Sequence, residues 1–331
     1  MTAPTQTRPP APRRRPGQAR EGAHRQAAGA RRRRAGIVRL AALLLSPTLL
    51  ALALVVGYPV LAALRLSLTV TEEGINPETG LIERSSELGT KNYTDGFQGD
   101  TGDRFLNALW NTTTFTLATG ALVTVIGVVM ALIMSRAFRG RGLVRAAVLV
   151  PWAIPTVISA LLWKWIFSTD GVANDILNTK ILWTTEGFQA WLAVVIADTW
   201  KTAPFIGLLV LAGLQLIPAE VYEAARVDGS SAWRTFWRIT LPLVKPALVV
   251  AVLFRILDLL RMFDLPFVLV GPRKESVETL SVLAWDEMSN LRFGPAAAYA
   301  MILFVYIAIV AYVFVRVLGA DIIGRGVQGR K

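Results

Sequence analysis

The chain has 331 residues, 53% of them hydrophobic, and a positive mean hydropathy, which is too apolar for an ordinary soluble domain. Its net charge of +12 is concentrated between Arg8 and Arg39 and in short loops between apolar segments, so it reads as membrane orientation rather than nucleic-acid binding. With no cysteine and a single histidine, His24 in a polar stretch, the sequence excludes disulfides, thiolate chemistry, a His/Cys zinc site and a His-based triad.

Residues 1–36 are rich in Arg, Pro, Ala and Gln and nearly lack large apolar side chains. They read as a disordered basic cytoplasmic tail. Arg31 to Arg34 serve either as a topology signal or as a contact to anionic lipid. The apolar run that follows continues past Leu54 to Leu68 behind a long basic lead, so an uncleaved first span is expected rather than a signal peptide.

Crossing a bilayer takes ~20 mainly apolar residues. Six segments qualify: about 38–68, 107–134, 144–168, 189–217, 243–268 and 296–318. The expected fold class is all-α, a polytopic membrane protein with a permease domain over 37–320 and a short cytoplasmic tail over 321–331. Pro59 is expected to kink the first helix or to mark its exit from the membrane core, and Pro151 and Pro155 to kink the third or to widen a cavity there. The acidic segment 70–106 suggests turns and a hairpin.

The Lys/Arg count of the loops sets the orientation. Arg136, Arg139, Arg141 and Arg145 place the loop after the second segment inside. Arg226, Arg234, Arg238 and Lys245 do the same after the fourth, and Arg325, Arg330 and Lys331 for the C-terminus. The acids of 70–106 and of 169–188 belong outside, and both termini are then cytoplasmic. The loop 269–295 is mixed, and its length gives its charges little weight in orientation.

A polar stretch separates the fourth and fifth segments: Glu223-Ala224-Ala225, Gly229, Ile239, Leu241 and Pro242. Pro218 suits the first turn of a helix, and Glu220 and Glu223 suit its positive end. Gly229 suits its left-handed stop, and Ser230 or Ser231 can cap a second short helix from Trp233 to Ile239. Ala224 and Ala225 leave a smooth face for close approach. An ordinary connector, with Glu223 pairing to Arg226, accounts equally well for the local chemistry.

Two sets of ionisable residues lie inside the expected spans: Asp198 with Trp200, Lys201 and Thr202, and Arg255, Asp258, Arg261 and Asp264. The second alternates in sign every third residue, and Asp198 and Lys201 are spaced to pair. Such groups face a bundle interior or a wet cavity. They read either as a sugar path, with Trp163, Trp165 and Trp200 offering aromatic faces, or as internal ion pairs, with Trp163, Trp165 and Trp183 as an interfacial belt.

The spaced Glu-Ala-Ala pattern resembles the coupling loop of permease subunits of binding-protein-dependent carbohydrate ABC importers, in the branch of the maltose and glycerol-phosphate importers. Supporting stretches are Asn107 to Thr116, Val150 to Ser159, Trp200 to Pro204, Leu214 to Pro218 and Arg261 to Leu265. Val270-Gly271-Pro272 stands where such chains often carry Thr-Gly-Gly-Gly-Pro, so that outer loop is expected to differ.

The resemblance implies that Glu223, Ala224, Ala225, Asp228 and Gly229 contact an ATPase subunit, with Glu223 meeting a basic group there. It also implies a second permease subunit as a heterodimer partner, two ATP-binding subunits and an extracytoplasmic sugar-binding protein, all working in a lipid membrane on a sugar such as trehalose. No Gly-rich phosphate loop occurs in the chain, so ATP is expected to bind elsewhere, and no cofactor, metal site or catalytic residue is expected. A secondary transporter, a permease for a non-sugar solute and a membrane enzyme are the alternatives. The first needs no coupling loop, and no dyad or metal spacing supports the last.

Overall fold

The computed structural model describes residues 38–75, 82–136 and 138–319. The expected tails 1–36 and 321–331 lie outside them. The chain divides into two units, Met1–Ala62 and Ala63–Lys331.

The described part of the first unit is helical and belongs to α1, a helix running over Val38–Ser67. The helix does not break at Pro59. Instead a π-helical turn, Ala53–Gly57, precedes it, with the Tyr58 N–H donating to the Ala53 carbonyl. One extra residue in the turn relieves the clash of a proline ring with the carbonyl four residues back.

In the second unit, β1 (Thr69–Ile75) and β2 (Ile82–Leu88) pair antiparallel, Thr69 opposite Leu88 and Ile75 opposite Ile82. This is the hairpin expected of the acidic segment. After the short helix α2 (Lys91–Thr94), helix α3 runs over Gly99–Ser135. It starts before the expected 107 because nothing in Gly99 to Leu106 stops a helix, and Asp100 favours its N-terminal end.

The third apolar segment is broken. Helices α4 (Arg141–Ala153) and α5 (Thr156–Ile166) meet at 92° across Ile154 and Pro155. Pro155 is the break and Pro151 lies inside α4, so one of the two expected kink sites is used.

The short helix α6 (Val172–Leu177) follows, then α7 (Phe188–Leu214), the most enclosed of the long helices. Helix α7 packs closely on α3 at Gly127 and Gly207: a Cβ on Gly127 would stand 2.7 Å from Ile206 Cγ2. Small residues allow such backbone approach where apolar surface alone gives no drive inside a membrane. Val123, Ala131, Met134, Ile206 and Val210 form a buried cluster there with Val244 and Ala251.

Helices α8 (Ala219–Val227) and α9 (Ala232–Thr235) come next. A second π-helical turn, Phe236–Thr240, leads into α10 (Leu241–Leu260) and precedes Pro242 as the first precedes Pro59. Helices α11 (Asp264–Leu269), α12 (Leu280–Ser289) and α13 (Phe293–Phe314) complete the described fold.

Among the described residues four helices are long and apolar enough to cross a membrane, or five if the bent pair α4–α5 is one span. Six are expected from apolar length alone. The difference is α10, where Lys245, Arg255 and Asp258 leave no 18-residue stretch with two charges or fewer.

Candidate functional site

Both ionisable sets meet in one place. Asp198, Lys201 and Thr202 of α7 face Arg255 and Asp258 of α10. With Arg261, Met262, Phe263, Asp264, Leu265 and Thr156 they line a cavity of about 260 Å³. Arg255 is 3% exposed and Asp198 6%. Arg255 donates through Nη2 to Asp198 Oδ2 and through Nη1 to Asp258 Oδ2 at 2.7 Å. Arg261 Nη2 is 3.5 Å from Asp258 Oδ1. Buried charges are tolerated only when paired in this way.

Four expectations change here. Asp198 and Lys201 do not pair with each other: Asp198 is taken by Arg255, and Lys201 Nζ donates to the Ile154 carbonyl at 2.6 Å. The alternating charges do not continue along one helical face, because α10 ends at Leu260. Arg261 caps it, and Asp264 opens α11. Nor does Trp200 line this cavity; it packs edge-on against Trp163, ring centroids 5.7 Å apart. Trp165 is exposed, whereas Trp183 is buried and donates from Nε1 to Asn174 Oδ1 at 2.9 Å, so the three tryptophans do not form a belt.

The aromatic lining is Phe263, which the sequence reading did not single out. Phe267 stacks behind it at 5.0 Å, and the Trp285 ring meets both. The signal was present in Arg261 to Leu265, but only the turn after Leu260 swings that phenyl ring to the cavity wall.

The polar stretch after α7 forms a separate surface feature. Pro218, extended (φ −60°, ψ 143°), caps α8 one residue before its expected position. Gly229 is left-handed at φ +69°, and the Ser230 N–H closes on the Ala225 carbonyl at 2.9 Å. Both glycine geometry and bond pattern are those of a helix stop. Ser231 rather than Ser230 caps α9, accepting from the Arg234 N–H. Glu223, Ala224, Asp228 and Gly229 are exposed, while Ala225 turns inward at 5% exposure. The local alternative, a Glu223–Arg226 pair, does not form; Arg226 Nε donates to the Tyr222 carbonyl at 3.4 Å.

The charges of 269–295, given little weight in the sequence, are organised. Arg104 of α3 binds Glu278 through Nε and Nη2 at 2.8 and 2.6 Å, and Asp286 at 2.8 Å. Arg273 reaches Asp286 at 3.0 Å from a left-handed backbone (φ +56°), directly after Val270-Gly271-Pro272. Burial pushes the Asp286 carboxyl up, but the hydrogen bonds from Arg104 and Arg273 outweigh it and hold the group below the usual carboxylate range. No local pattern announces partners 182 residues apart.

Long apolar helices, a charged, hydrogen-bonded cavity between α7 and α10, and a separate exposed helix–turn–helix define a multi-pass membrane transport subunit. The chain belongs to the family of binding-protein-dependent transport system inner membrane components, which matches residues 123–324. Subunits of this kind have their ATPase on a separate chain and work with a binding protein.

Over 299 residues the chain is 37% identical to the trehalose transport system permease protein SugA of Mycobacterium tuberculosis, covering 88% of this chain and 92% of that one. It is 41% identical over 212 residues to the trehalose/maltose transport system permease protein MalF of Thermococcus litoralis, 62% of this chain and 72% of that one. A bacterial ABC transporter that imports alginate shares the fold, with a TM-score of 0.70 at 22% identity, over 88% of this chain and 98% of that one.

Proposed function

We propose that this chain is the transmembrane permease subunit of an ATP-driven importer of a disaccharide such as trehalose, and forms half of its translocation path. The observation that carries the reading is the cavity, where Asp198, Arg255, Asp258, Arg261 and Asp264 surround a space beside the Phe263 ring. Sugars need directional hydrogen bonds from charged groups and an aromatic face for their C–H surfaces, and this lining supplies both. The two trehalose-related relatives support the choice of solute.

On this reading α10 with α11 is the fifth of six crossing elements in chain order, and its charges are tolerated because they border the solute path. The loops rich in Lys and Arg put both termini in the cytoplasm. A permease domain over 37–320 then lies between the tails 1–36 and 321–331. Glu223, Ala224, Asp228 and Gly229 dock in a cleft of an ATPase subunit, with the buried Ala225 beneath that surface. The complex holds a second permease subunit, two ATPase subunits and an extracytoplasmic sugar-binding protein.

The test is reconstitution of the complex in vesicles with a panel of trehalose, maltose and glycerol phosphate. ATP-dependent uptake of a disaccharide is the expected result. Uptake that follows an ion gradient without the ATPase, or that ignores sugars, overturns the reading.

A further inference from the structure

Helix α4 stops abruptly beside the cavity. Ala153 is followed by Ile154 in an extended conformation (φ −72°, ψ 134°) and by Pro155 (φ −53°, ψ 141°), and α5 departs at 92°. The last carbonyls of a helix have no N–H partner within it and take one from elsewhere.

Lys201 meets this end. Its Nζ donates to the Ile154 carbonyl at 2.6 Å and lies 3.5 Å from the Trp152 carbonyl. The ammonium also stands at the negative end of the α4 dipole. A second tie runs in parallel: the Trp152 ring stacks on Phe205, one turn along α7 from Lys201, with centroids 5.5 Å apart. Lys201 is 8% exposed and takes no part in the Asp198–Arg255–Asp258 chain of ion pairs.

We propose that Lys201 is a positioning residue. It latches the C-terminal end of α4 onto α7, and so sets the bend between α4 and α5 and the shape of the cavity wall, rather than holding solute. Two of its three donors face the Ile154 and Trp152 carbonyls, which accept from no backbone N–H outside the helices among the described residues. Only the consequence for transport rests on the cavity being the solute path.

The test measures the bend directly. The chain has no native cysteine, so Leu143→Cys on α4 and Leu161→Cys on α5 accept nitroxide labels in the assembled complex with cysteine-free partners. Their separation is read by double electron–electron resonance without solute or ATP. A single narrow distance is expected in the otherwise unsubstituted chain and in Lys201→Arg, which still reaches the carbonyls. Lys201→Met keeps the stem without donors and should lose that narrow distance.

Should the methionine variant fail to insert, Lys201→Gln decides, because its shorter reach must also lose the narrow distance. A narrow distance retained in either variant overturns the latch, and a simultaneous change in sugar affinity would then assign Lys201 to the solute. Because the measurement uses no solute, the latch stands or falls independently of which solute is carried.

Discussion

Arg255 on α10 donates to the carboxylate of Asp198 on α7, 57 residues earlier, and both side chains are buried. The pair is the pivot of the cavity. Arg255 turns its other terminal nitrogen to Asp258, whose side chain is 55% exposed and borders the open space. One guanidinium thus joins a buried structural carboxylate to one that can meet a solute.

Breaking the buried half should cost stability. Asp198→Ala leaves Arg255 without its enclosed counter-charge, a loss of about 3–5 kcal/mol for pairs of this kind. The purified complex should melt markedly earlier, or assemble poorly. Asp198→Leu combined with Arg255→Leu should recover part of the loss, since no charge is then stranded. A wild-type melting curve for Asp198→Ala would show that the pair does not support the fold.

Asp258→Asn should act on transport instead. Arg255 keeps Asp198 as its partner and Arg261, the other cation at Asp258, is exposed, so no buried charge is stranded and the melting temperature should stay close to that of the parent. Sugar affinity or transport rate should change, because the exposed carboxylate borders the cavity. Early melting with normal transport per folded molecule sinks the pathway assignment.

Glu223→Lys tests the coupling surface. Glu223 is exposed and makes no ion pair with Arg226, so its replacement should leave the membrane-embedded fold intact. Opposing a basic cleft of the ATPase with a like charge should abolish uptake and sugar-stimulated ATP hydrolysis. Wild-type uptake in this variant removes Glu223 from the coupling role.

The outer network should make stability fall in acid. Asp286 has its carboxyl held below the unfolded value of about 4. Its contribution is therefore fully present above about pH 4 and is lost as pH falls through the lower folded value. Asp286→Asn should lower the melting temperature at neutral pH and shrink the acid-dependent loss. An unchanged acid profile in that variant would place the titration elsewhere.

What the sequence by itself determined was local. Runs of apolar residues near the length of a bilayer mark the long helices whatever surrounds them, and a proline forces the break at Pro155 because it has no N–H to give. Gly229 stops α8 because its left-handed backbone disfavours a Cβ, and the Gly, Asn, Asp and Thr content of the acidic segment before the second span points to turns and a hairpin. The spaced Glu-Ala-Ala pattern sits within one stretch of chain, so it too was legible.

What only the tertiary structure decided was pairing at a distance. Spacing on one helix suggested Asp198 with Lys201 and an unbroken face from Arg255 to Asp264. Packing gave Asp198 to Arg255, Lys201 to the carbonyls at the break and Asp264 to a new helix, and it brought Phe263 rather than Trp200 to the cavity wall. A side chain's periodicity says which face it occupies, whereas its partner depends on which helix end or opposite charge the fold brings within a few ångströms, and burial raises the cost of any other choice.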